Sequence, residues 1–71
     1  MKRYSVILVG REFKEGDYIP FGRAKELLIG NVHNRGEAIA AAKRIAGNDW
    51  KVVSAVRSYG MLDPDAKGHQ Q

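Results

Sequence analysis

Residues 24–32, Ala24-Lys25-Glu26-Leu27-Leu28-Ile29-Gly30-Asn31-Val32, decide the fold, because they read either as a strand ending at a helix cap or as a short helix that Gly30 terminates. Ala, Lys, Glu and Leu favour helix locally, and a helix here would turn Ala24, Leu27 and Leu28 inward. It would also leave only two long strands in the chain, and a two-stranded sheet is marginal in water. The strand is therefore the preferred reading.

Both flanks carry clearer patterns. Upstream, Arg3 to Val9 (RYSVILV) is β-branched and aromatic, ends at Gly10, and predicts a strand. Pleating puts Tyr4, Val6 and Leu8 on one face and Arg3, Ser5, Ile7, Val9 and Arg11 on the other. Downstream, Asn34 is placed to cap a helix running to Ala46, with Glu37 three residues on, where its carboxylate reaches back to the cap and favours the positive end of the helix dipole. At 100° per residue, Ala38, Ile39, Ala41, Ala42, Ile45 and Ala46 share one face, opposite Glu37, Ala40, Lys43 and Arg44. Gly47 ends the helix, and Trp50 to Tyr59 (WKVVSAVRSY) forms another strand closed by Gly60. There Trp50, Val52, Ser54 and Val56 alternate with Lys51, Val53, Ala55, Arg57 and Tyr59.

Between Gly10 and His33, Glu15-Gly16-Asp17 marks a turn, so Arg11 to Phe13 and Tyr18 to Phe21 are expected to extend a hairpin, with Pro20 confining that piece to an edge. The fold class is thus α+β: a three- or four-stranded, mostly antiparallel sheet with one α-helix packed on one face. Residues 1–60 form the single domain, and 61–71 (MLDPDAKGHQQ) lack periodicity and read as a flexible C-terminal tail.

Composition bounds the function. Seventy-one residues hold one small domain whose core must be efficient or shared with a partner. The absence of cysteine removes disulfides, thiolate zinc sites and thiol catalysis. No apolar run approaches the roughly 20 residues of a membrane span, and the six apolar-rich residues after Met1-Lys2-Arg3 are too short for an export signal; a cytoplasmic protein is expected. The glycines form no phosphate-cradling motif, His33 and His69 have no ligand partner at metal spacing, and Ser5, Ser54 and Ser58 lie on strands without a nucleophile turn. The close carboxylate pair Asp63 and Asp65 falls in the tail. No catalytic, cofactor or metal site and no small-molecule substrate is indicated.

What remains is a surface. Residues 1–60 hold 11 basic and 6 acidic side chains, a difference of +5 that attracts polyanions or acidic proteins. With Tyr4, Val6, Leu8, Trp50, Val52 and Val56 given to the helix, the opposite face carries Ile7, Val9, Val53, Ala55 and Tyr59 rimmed by Arg3, Arg11, Lys51 and Arg57. An apolar centre ringed by cations is the composition of a contact surface. Three occupants fit it: the chain's own segment 11–32 as a second core layer, a protein partner or second copy, or a nucleic acid with the cations on phosphates and Tyr59 or Tyr18 stacking. Arg35, Lys43 and Arg44 on the helix form an alternative set of phosphate contacts.

The order strand, irregular or strand segment, capped Ala-rich helix, strand, with Ala42-Lys43-Arg44-Ile45-Ala46, resembles small phage-encoded proteins over residues 34–57, including anti-CRISPR inhibitors with one helix on a small antiparallel sheet. The resemblance implies a stoichiometric inhibitor that occupies a nucleic-acid-handling complex, although the positive charge departs from inhibitors that mimic DNA with acidic surfaces. It transfers no site residues. The function expected from the sequence is a non-enzymatic, protein-binding regulator or inhibitor of phage or bacterial origin, acting through the basic-rimmed sheet face; nucleic-acid binding is the alternative.

Overall fold

The computed structural model describes residues 1–58, in the order β1 (Lys2–Gly10), a 3-10 turn (Phe21–Arg23), β2 (Ala24–Val32), α1 (Arg35–Ala46) and β3 (Trp50–Arg57). Residues 24–32 are a strand, as the sheet requires. The sheet order is β2-β1-β3, with β1 central and antiparallel to both neighbours. β2 and β3 therefore run parallel to each other, and α1 is the crossover that joins them across one sheet face.

β1 supplies the middle of the core, with Val6 and Leu8 fully buried and Tyr4 nearly so. Ile29, Val32 and Ala55 join them from the edge strands, Ala38 and Ala42 from the helix. Alanine on the helix lets its axis lie close to the sheet, at the cost of less apolar area removed from water. The buried stripe follows the expected phase, with one exception: Ile45, in the last turn, is exposed. The helix start is capped as read, the Asn34 side chain accepting the Glu37 N–H at 2.9 Å. Glu37 reaches one residue farther back than expected, accepting the His33 N–H at 2.8 Å. At the other end Gly47 adopts a φ of 89° while its N–H bonds to the Lys43 carbonyl, a conformation open to a residue without a Cβ.

Two strict alternations break. Between β1 and β2 the pairing steps from Tyr4↔Ile29 to Lys2↔Val32, so β2 holds one extra residue, and Asn31 there sits at φ 59°. This bulge turns both Ile29 and Val32 to the helix. Between β1 and β3 the pairing steps from Ile7↔Ser54 to Leu8↔Val52, leaving Val53 over. As a result Val52 and Ala55 both face α1, Arg57 lies opposite Tyr4, and Val56 lies opposite Ser5 on the other side. The expected faces of Ala55, Val56 and Arg57 are thereby exchanged.

The expected hairpin does not form, and the sheet has no fourth strand among the described residues. The Glu15-Gly16-Asp17 turn is present: the Asp17 N–H bonds to the Lys14 carbonyl at 3.0 Å, and the Asp17 carboxylate accepts the Lys14 N–H at 2.9 Å. The segments flanking it stay irregular because Phe13 folds back towards Val9, while Pro20 leads into the 3-10 turn. Tyr59 and the 61–71 tail lie outside the described residues. No helix among the described residues is long and apolar enough to cross a membrane.

Candidate functional site: the uncovered sheet face

Among the described residues one helix covers one side of the sheet, so strand residues alternate between that core and an uncovered face. The register arranges the uncovered face in rows across the three strands. Ala24, Val9 and Lys51 form the first row, Glu26, Ile7 and Ser54 the second, and Leu28, Ser5 and Val56 the third. Arg3 follows beside Gly30, with its carbonyl accepting the Ser58 N–H at 2.8 Å. In the third row Leu28 is 56% exposed and Val56 59%, two aliphatic side chains bracketing a serine. A carboxylate sits next to them: Glu26 accepts a hydrogen bond from the Ser5 hydroxyl.

The expected contact residues separate into several places. Arg3, Ile7, Lys51 and Val53 belong to the uncovered side, with Val53 exposed and Ile7 and Lys51 half-buried. Val9 also points that way but is only 5% exposed, because the 11–20 segment brings Phe13 and Ile19 beside it. Thus the chain's own loop covers one end of the face, as one of the three expected occupants would, and leaves the rest open. Arg11 is drawn to the α1–β3 turn, its Nε–H donating to the Asn48 carbonyl at 2.7 Å and its N–H to that of Asp49 at 2.9 Å. Arg57 turns to the helix side.

The helix cations divide similarly. Arg35 donates through Nε–H to the Ala55 carbonyl at 2.9 Å, spending one donor on the backbone of the edge strand β3. Lys43 and Arg44 are exposed in the last turn of α1. Sequence reasoning missed Leu28 and Val56, and with them Glu26. Leu28 needed only the period-2 reading of β2; Val56 needed the bulge, which no residue type in β3 announces. Tyr18 and Phe21, both exposed, project from the connection between β1 and β2 rather than from a strand.

The polar contacts outside this face are structural in kind. Glu12 and Arg23 form a two-fold hydrogen-bonded pair, both distances 2.8 Å. Bonding to Arg23 is the main reason the Glu12 carboxyl is pulled down to about 2, and Glu12 in turn raises the guanidinium. Arg23 and Lys25 both lie over the Trp50 ring, at 4.8 and 4.1 Å from its centroid. The Glu37 carboxyl is lowered chiefly by the His33 N–H that it accepts. Among the described residues no group of three or more His, Asp or Glu is placed to hold a metal ion.

No family model matches the chain, and neither a curated protein nor a solved structure is significantly similar to it. The surface must therefore be read from its own chemistry.

Proposed function

We propose that this chain is a non-enzymatic binding module of the cytoplasm that docks a protein partner on the uncovered face of its sheet, in the manner of a small regulator or inhibitor working by occupancy. The observation that carries this reading is the row Leu28, Ser5, Val56: two aliphatic side chains, each more than half exposed, on the one sheet face the helix leaves open. Contiguous apolar surface marks contact sites, and the half-buried Ile7 in the adjoining row of β1 extends this pair. The partner's chemistry follows from the rim. Arg3 and Lys51 stand at opposite ends of β1's row of open-face residues, so the complementary surface is apolar in the middle and carries carboxylates around it.

A protein fits better than a nucleic acid. Sheets that bind single strands stack bases on aromatics of their central strands, and the open-face residues of central β1 are Arg3, Ser5, Ile7 and Val9.

Selection of random displayed peptides on the wild-type chain and on a Leu28→Glu, Val56→Glu double variant tests the reading. The expected result is enrichment of peptides that pair bulky apolar residues with Asp or Glu, lost on the variant. Equal recovery on both proteins would overturn it, as would salt-dependent retention of a labelled oligonucleotide that the double variant leaves intact. Molecular mass across a dilution series adds a control: a dimer dissolved by the same variant would replace the foreign partner with a second copy.

A further inference from the structure

The loop that covers Val9 also builds a feature. Between it and the start of β3 runs an open groove of about 590 Å³, within the size range of sites that take small ligands or anchoring side chains. Its apolar lining is Phe13 and Ile19 on the loop side, Val9 of β1 between, and Val53, the extra residue of the β3 bulge, on the other side. The groove is held open by a specific contact, since the Lys51 ammonium donates to the Phe13 carbonyl and ties loop to strand.

Charge at the mouth is cationic on balance, with Lys14 and Lys51 against Glu15. Neither lysine is ion-paired among the described residues. The nearby Glu12 carboxylate feels Lys51, but Arg23 already engages it. An apolar slot lined by two ammonium groups against one carboxylate matches an apolar group that carries an anion beside it.

We infer that this groove is the anchor pocket of the binding face and takes a bulky apolar side chain of an extended peptide segment with a carboxylate adjacent to it. The inference rests on the docking role of the uncovered face and deepens it. Val9 and Lys51 sit in the same cross-strand row, so the groove continues directly into the Ile7 and Leu28–Val56 rows. A segment anchored in it lies over the rest of the face.

The probes are a matched pair, N-acetylphenylalaninate and its neutral amide, titrated into the full chain labelled with nitrogen-15. The carboxylate should bind with roughly millimolar affinity and shift the amide signals of Phe13, Lys14 and Val53. It should bind about 2- to 5-fold tighter than the amide, the preference expected of exposed charge pairs, and salt at about 0.5 M should erase the difference. A Lys14→Met, Lys51→Met variant should bind both probes equally, and Lys14→Met alone, which spares the Lys51 contact to the loop, should reduce the preference. Equal binding of both probes to the wild type, or shifts clustered away from the groove, would overturn the inference. The two proposals fail separately: the Leu28→Glu, Val56→Glu variant lies outside the groove and reports on the face alone.

Discussion

The Glu12 carboxylate accepts two hydrogen bonds from one guanidinium, and that geometry makes it the side chain with the clearest pH signature. Its folded-state value of about 2 lies below the ordinary 4.5, so its contribution to stability is complete above the ordinary value and is lost as pH falls through about 2. Both groups are exposed, so the contribution is small. Trp50 offers the readout, because Arg23 lies over its ring. Acidifying the wild type from pH 5 to about 2 should shift Trp50 emission, with Arg23 released as Glu12 protonates; Glu12→Gln should show the acid-form emission already at pH 7 and no titration. A wild-type transition that Glu12→Gln retains would rule this coupling out. Gly10 belongs to the same unit. A Cβ there would lie 2.7 Å from both the Glu12 carboxylate and the Arg23 guanidinium, which must then move. Since those are the ends of flexible side chains, Gly10→Ala should cost about 1 kcal/mol in urea unfolding and loosen Trp50 rather than unfold the chain.

At the scale of the element, the two bulges explain what the sequence could and could not convey. The capped helix and the β1 strand were legible because their periodicity and caps are local, whereas 24–32 favours helix locally and was legible as a strand only through the sheet, since two strands alone are marginal. Tyr4, Val6 and Leu8 were placed on the helix side because with Trp50, Val52 and Val56 they make the larger apolar set, and Leu8 and Val6 are the largest fully buried side chains among the described residues. Faces beyond Val53 were not legible: one extra residue reverses every later position, and β-branched Val52-Val53 reads as uninterrupted strand. That exchanged two residues of the candidate surface, with Val56 taken for core and Arg57 for rim. The bulge also yields a prediction. Deleting Val53 leaves Val52 opposite Leu8 and Ser54 opposite Ile7, the pairs already present, so the ladder becomes regular without moving a core residue. The deletion should fold cooperatively, with a change in unfolding free energy of no more than about 1 to 2 kcal/mol, read by urea titration. Failure to fold would show that the kink itself is needed. At the helix end, Asn34→Ala should cost about 1 kcal/mol, because the Glu37 N–H loses its acceptor.

For the molecule as a whole, the question is how a fold this small keeps one sheet face bare. Among the described residues only two large side chains are fully out of water, Val6 and Leu8, and the helix meets them with alanines. A domain of this length is expected to be stable by only about 4 to 11 kcal/mol, at roughly 0.05 to 0.15 kcal/mol per residue. Leu8→Ala removes a buried side chain at the sheet centre and should cost about 2 to 5 kcal/mol, a large share of that margin. Leu28→Glu with Val56→Glu alters side chains already more than half in water and should change stability by no more than about 1 kcal/mol. Stability is thus carried by one face of the three strands and the proposed contact by the other. Urea melts followed by far-ultraviolet circular dichroism should give near-coincident midpoints for the wild type and the double glutamate variant, and a largely unfolded baseline or an early midpoint for Leu8→Ala. If the glutamates instead lowered the midpoint as far as Leu8→Ala does, Leu28 and Val56 would be part of the core in solution, covered by chain or by a second copy, and the uncovered face would not be free to receive a partner.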